Sequence, residues 1–192
     1  MRKGRPEIHF ATSNRNKFLE AQSIMGEYGV RLAFLGNRGV EIQSDSLEEI
    51  AKQSAIASST TTRTAVIAED AGLFVDALRG FPGPYSSFTF RTLGYEGILK
   101  LMERIPNRKT RFVSAVAYCE PNGQPICFSG TSEGILEIEA RGDGGFGFDP
   151  IFTPTEAGTK TFAEMSQIEK NKYSHRAKAF RRFAEWFVDS KP

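Results

Sequence analysis

The 192-residue sequence holds two cysteines, Cys119 and Cys127, and one tryptophan. Two thiols cannot build the disulfide framework of a small secreted domain, and no Cys/His spacing fits a zinc site. Charge of one sign is also scarce: 25 Lys and Arg meet 23 Asp and Glu, a formal net charge of +2. So slight an excess makes no electrostatic case for a nucleic-acid or membrane partner. An anionic ligand must therefore be held by local placement of Lys and Arg. No apolar run reaches the length of a membrane span, and the opening "MRKGRPEIHF" lacks the apolar core of a signal peptide. A soluble, cytoplasmic protein is the expectation.

What is present suits a folded globular chain. Apolar residues make up 40% and charged residues 25%, with phenylalanine over-used at 16. The length fits one large domain or two small lobes around a shared core. "EIHFAT" (7–12) reads as a strand, and the run after it as a helix ending near Gly26 or Gly29, with Phe18, Ala21, Ile24 and Met25 on one face. "VRLAFLG" (30–36) reads as a second strand. Ser46 and Glu49 have the spacing of a capping box, which opens a helix reaching about Thr60. "TAVIAED" (64–70) reads as a strand that stops at its two acids. The pattern predicts a helix over 91–105, with Ile98, Leu101, Met102 and Ile105 inward and Pro106 ending it. Three consecutive strands follow ("RFVSAVAYC", "QPICFSG" and "TSEGILEIEA"), then a last helix striped by Ala177, Phe180, Ala184 and Phe187. Without a steady βαβ rhythm this is a mixed α/β architecture, antiparallel in its middle.

Four places could carry chemistry. In "ATSNRNK" a strand gives way to a helix, where unpaired backbone N–H groups and the helix dipole attract anions. Thr12, Ser13 and Asn14 add side-chain donors and Lys17 a charge; the alternative is an ordinary cap with a solvated lysine. In "AEDAGL", Glu69 and Asp70 could hold a hard cation or orient a water, but neighbours in an extended strand point to opposite sides, so one of them faces any given site. The alternative for the acid pair is a strand end in which the acids cap a turn; Glu41 is a further candidate metal ligand, the alternative there being a solvated loop acid. In "GGFGFDPIF" the glycines at 144, 145 and 147 let backbone approach a ligand closely, and Phe146 and Phe148 could stack a base, worth on the order of 1–3 kcal/mol. Asp149 could accept from N–H groups; the alternative is a bulge in which one of the two rings fills the core. The match of "GDGGFG" to a dinucleotide fingerprint is rejected, because Pro154 would break the helix such a site must open. In "EKNKYSHRAK", Lys170, Lys172, His175 and Arg176 flank a break before the last helix. The Arg fork matches the O6/N7 edge of a 6-oxopurine, and the alternative is a solvated basic helix start.

The order and spacing of five motifs carry a resemblance: T-x-N-x-x-K at 12–17, E-D-x-G-L at 69–73, F-P-G-P-Y-S at 81–86, G-F-G-F-D-P-I-F at 145–152 and S-H-R at 174–176. Together they resemble the inosine triphosphate pyrophosphatase family over residues 7 to 187. The resemblance implies a single domain over 1–192 with a mixed sheet and flanking helices, elongated and two-lobed around a central cleft. It implies a Mg²⁺-dependent homodimer that hydrolyses ITP, dITP and XTP to the monophosphate and pyrophosphate. By motif, Thr12, Ser13, Asn14 and Lys17 would hold the triphosphate, and Glu41 and Asp70 the metal, with Asp70 serving the attacking water. Phe146, Gly147, Phe148 and Asp149 would hold the base, and Lys170, His175 and Arg176 the phosphate and purine edge. The chain departs from many members at Ala71, where they carry serine, and at Phe148, where other aromatics are common. A nucleotide sensor without turnover would share these sites, as would an enzyme for pyrimidine or modified nucleotides. The acid pair argues for turnover and the S-H-R run for purines.

Overall fold

The computed structural model describes residues 7–36, 40 and 42–190. Among them are seven strands and five α-helices: β1 (Glu7–Ala11), α1 (Arg15–Glu27), β2 (Arg31–Leu35), α2 (Leu47–Thr62), β3 (Val66–Val75), β4 (Pro82–Gly83), α3 (Ser86–Leu101), β5 (Lys109–Cys119), β6 (Ile126–Leu136), β7 (Phe152–Pro154), α4 (Gln167–Tyr173) and α5 (His175–Ser190). The strand order is β2-β1-β3-β5-β6-β7, with β4 paired to β3. β1 runs parallel to both β2 and β3, while β3–β4 and β6–β7 are antiparallel, so the sheet is mixed. No helix among the described residues is long and apolar enough to cross a membrane.

The chain divides into two compact units. The first takes residues 1–70, 114–130 and 176–192, and its core joins Ile8 and Phe10 of β1 to Ile24 and Met25 of α1 and Phe180, Phe183 and Ala184 of α5. Ala177, Phe180, Ala184 and Phe187 are buried as the stripe predicts. Ser46 caps α2 by accepting from the Glu49 N–H at 3.3 Å. The Glu49 carboxylate does not complete the box on Ser46; it accepts from Ser44 Oγ at 2.6 Å, and Ser44 Oγ accepts the Ser46 N–H at 3.1 Å.

The second unit takes residues 71–113 and 131–175, with a core of Leu73, Ile98, Met102, Phe112, Phe152 and Phe162. Ser86 locks its early turns, accepting from Leu73 N–H at 2.8 Å and donating to Gly83 C=O at 2.7 Å.

Three expectations need correction. β3 does not stop at the acids but continues to Val75, where Leu73 and Phe74 pair with β4, so Glu69 and Asp70 lie inside a ten-residue strand. The helix expected over 91–105 begins at Ser86, bends at Gly94 (φ 65°, ψ −174°) and ends at Leu101. Ile98 and Met102 are buried, but Leu101 is about half exposed on the flank of that face. The two strands expected in 124–140 are one, β6. Both cysteines are free thiols, and burial, reinforced by Glu48, pushes Cys127 up to about 11, which removes it as a nucleophile at neutral pH.

Candidate functional site

Two constellations of functional side chains form, one in each unit. The first is built on the β1–α1 turn. Thr12, buried at the end of the strand, accepts the Asn14 N–H on its hydroxyl at 3.1 Å. Asn14 is the N-cap of α1, its Oδ1 accepting from Asn16 N–H at 2.9 Å and Lys17 N–H at 3.1 Å. Ser13 is exposed. The cap is therefore real, but Lys17 is not solvated: its Nζ lies 2.8 Å from Glu69 Oε2.

Glu69 is the hub of this unit. Its Oε1 accepts from Ser114 Oγ at 2.7 Å and lies 3.1 Å from both Nε and Nη2 of Arg176. Arg176 also donates through Nη1 to Glu20 Oε2 at 2.5 Å. Glu20, Glu69 and Arg176 are all buried. Burial opposes ionisation of Glu69, but Arg176 and Lys17 outweigh it and hold the carboxyl well below the usual carboxylate range. Two acids and two bases thus balance in the interior, a requirement for burying any of them. Asp70, next on β3, is 6% exposed, and strand alternation turns it away from the Glu69 side.

The second constellation lies in the other unit, around the Gly-rich segment. Asp149 Oδ2 accepts the Phe146 N–H at 2.7 Å and pairs with Lys170 Nζ at 2.6 Å, both side chains being almost fully buried. The Lys170 ammonium sits 4.9 Å from the Phe146 ring centroid and 5.4 Å from that of Phe162. Of the two phenylalanines, Phe148 is core, edge-on to Phe90 at 5.5 Å, while Phe146 is half-buried. Asp149 then opens a single 3₁₀ turn through Ile151, so no helix follows that could serve a dinucleotide. His175 is buried and stacks on Phe112 at 4.6 Å, with ring planes 10° apart. Lys170, His175 and Arg176 are thus interior groups, while Lys172 is exposed.

Gly145 (φ +69°) and Gly147 (φ +66°) both need the left-handed region, but only at Gly145 would a Cβ strike the Asp149 carboxylate; at Gly147 the space is open. Gly147→Ala should cost about 1–2 kcal/mol for backbone conformation alone. Gly145→Ala should cost more, because Asp149 must give up its bond to Phe146. Paired thermal melts check the order; equal losses would mean the Asp149 contact carries no weight.

Glu41 lies outside the described residues. Among the described residues, no group of three or more His, Cys, Asp or Glu is placed to hold a metal ion, and Glu69 is already engaged by two cations. Mg²⁺ binds through one or two carboxylates, waters and substrate phosphates, and a buried carboxylate such as Asp70 is the donor type that mode uses.

Sequence reasoning missed Glu20, Ser114, Phe112 and Arg141. Arg141, just before the Gly-rich segment, donates its backbone N–H to Pro150 C=O at 2.9 Å and is anchored through Nη2 to Thr159 C=O at 2.8 Å and to Glu137 Oε1 at 3.1 Å. A serine at an inward position of β5 and an acid on the Lys17 side of α1 were the available signals.

A sequence profile of the Ham1 family matches residues 8–186. The chain belongs to the Ham1 family. Among its relatives, a dITP/XTP pyrophosphatase of Methanopyrus kandleri is 50% identical over 96% of this chain and 97% of its own length. The Saccharolobus solfataricus dITP/XTP pyrophosphatase is 46% identical over 96% and 94%. A Ham1 protein of Coxiella burnetii has a similar fold, with a TM-score of 0.85 at 27% identity over 96% of this chain and 99% of that one. The architecture described above is thus the Ham1 fold.

Proposed function

We propose that this Ham1 chain is a nucleoside triphosphate pyrophosphohydrolase acting on deaminated purine nucleotides, ITP, dITP and XTP. The observation that carries the reading is 50% identity, across nearly the full length of both chains, to a protein named dITP/XTP pyrophosphatase. The chemistry of the site agrees. Thr12, Ser13, Asn14 and Lys17 stand at the positive end of the α1 dipole, a turn suited to the triphosphate. Asp70 orients a water for attack on the α-phosphorus. The new P–O bond forms as the bridge to the β-phosphate breaks, pyrophosphate departs, and Asp70 takes the water's proton. Mg²⁺, held by Asp70 and Glu41, would neutralise charge on the phosphate oxygens. Phe146 supplies the ring face for the base, Gly147, Phe148 and Asp149 shape its seat, and Lys170, His175 and Arg176 set the polar edge.

Donors aimed at O6 leave a 6-amino purine with mispaired hydrogen bonds, which accounts for discrimination against ATP. GTP shares O6 and must be refused at C2. A homodimer in the cytoplasm completes the reading, and sedimentation at twice 21.3 kDa is the check on assembly.

The deciding experiment is pyrophosphate release from ITP, XTP, dITP, GTP, ATP and dUTP, with Mg²⁺ and with chelator. Fast, metal-dependent release from the first three is expected. Binding without release would make the protein a sensor, and preference for dUTP would move it to pyrimidines.

A further inference from the structure

Glu69 stands between two cations of the first unit. Its Oε2 meets Lys17 at 2.8 Å, and its Oε1 meets Arg176 twice at 3.1 Å and Ser114 at 2.7 Å. The side-chain exposures rank the three charged groups: 0% for Glu69, 3% for Arg176 and 13% for Lys17. Lys17 is thus the member of the chain that water and an anion can reach, and it stands in the first turn of α1, at the positive end of the helix dipole. Arg176 is held from its other side by Glu20.

We propose that Glu69 is a positioning residue that ties Lys17 to Arg176, so that one buried carboxylate governs both phosphate binding and purine selection. The proposal rests on the function argued above. A carboxylate shared by two cations gives each only part of its charge. When a triphosphate draws the Lys17 ammonium toward itself, the Glu69 charge falls more heavily on Arg176 and fixes the guanidinium fork. By linkage, a fork fixed in the selecting orientation favours the state in which Lys17 has turned to phosphate. Phosphate occupancy and base discrimination then rise together. Ser114 keeps the carboxylate plane from rotating out of this alignment. A metal-ligand role for Glu69 is disfavoured, because both of its oxygens already face cations.

The test measures kcat and KM on ITP and on ATP, with Mg²⁺ titrations, for the wild-type protein, Glu69→Gln and Ser114→Ala, each checked for folding by circular dichroism. Glu69→Gln should raise the KM for ITP and shrink the ITP-to-ATP ratio of kcat/KM, both on the order of 10- to 100-fold. Ser114→Ala, which removes only the anchoring hydroxyl, should move the same two quantities in the same direction by less. The Mg²⁺ half-saturation should stay put. A folded Ser114→Ala with both quantities unmoved overturns the proposal, and decides it if Glu69→Gln does not fold. A shift in Mg²⁺ requirement without a shift in selectivity overturns it in favour of metal ligation. Lack of pyrophosphate release by the wild-type protein is a separate outcome, which sinks the functional reading itself.

Discussion

Asp70→Asn is expected to slow pyrophosphate release from ITP by a factor on the order of 10²–10⁴ while nucleotide binding persists. The substitution keeps the shape of the side chain and the course of β3. What it removes is a negative charge and a proton acceptor. Removing negative charge near a triphosphate relieves repulsion and offsets the loss of a Mg²⁺ ligand, so nucleotide affinity should hold rather than collapse. Turnover falls because an amide cannot take the proton of the attacking water. Isothermal titration in the absence of turnover, beside a pyrophosphate assay at saturating ITP, separates the two effects. Unchanged turnover would remove Asp70 from the chemistry and leave the acid pair as a structural feature of β3.

Arg176→Met should lower the thermal midpoint on the order of 10 °C. The wild-type guanidinium spans Glu20 and Glu69, both buried. Methionine fills much of the same volume but leaves two interior carboxylates with Lys17 as the remaining cation of the quartet. Deleting one member of a buried ion pair costs about 3–5 kcal/mol, because its partner stays behind without compensation. Arg176→Lys sharpens the comparison: it restores the charge, yet a single ammonium cannot reproduce the planar fork between two acids. Lysine should therefore recover part of the stability and little of the preference for ITP over ATP. A melt of Arg176→Met indistinguishable from wild type would mean that Glu20 and Glu69 find other partners.

The sequence made much of this legible where the signals are local. The Asn14 and Ser46 caps, the stripe of α5 and the ends of β1 and β2 all follow from residues a few positions apart. β6 reads as two strands from sequence because its middle inward positions, Gly130, Ser132 and Gly134, carry no apolar signal of period two between Phe128 and Leu136. At Gly134 the reason is steric, since a Cβ would run into Thr153 and the Phe152 ring. The start of α3 is obscured in the sequence, where "SSFTF" alternates like a strand and Gly94 bends the helix after that segment. At the site, residue types were readable but partners were not. Lys17 and Arg176 look solvated from their neighbours in sequence; the acids that bury them are set by the tertiary fold, with Arg176 lying 107 and 156 residues from Glu69 and Glu20.

Those separations also set an order of assembly on the ribosome. Both acids emerge long before their arginine: at ~5–20 residues per second, Glu69 waits roughly 5–20 s for Arg176. Through that interval β1, α1 and β3 exist, but closing their interior would trap carboxylates short of a cation. The first unit must stay open until α5 arrives, although its first seventy residues are made before any of the second unit. A chain cut short before residue 176 can neither bury its acids nor cover Phe10 and Ile24 with Phe180 and Phe183. Such a fragment is a substrate for proteases and chaperones rather than a weak enzyme, so truncated messages should leave no partially active product to act on cellular nucleotides.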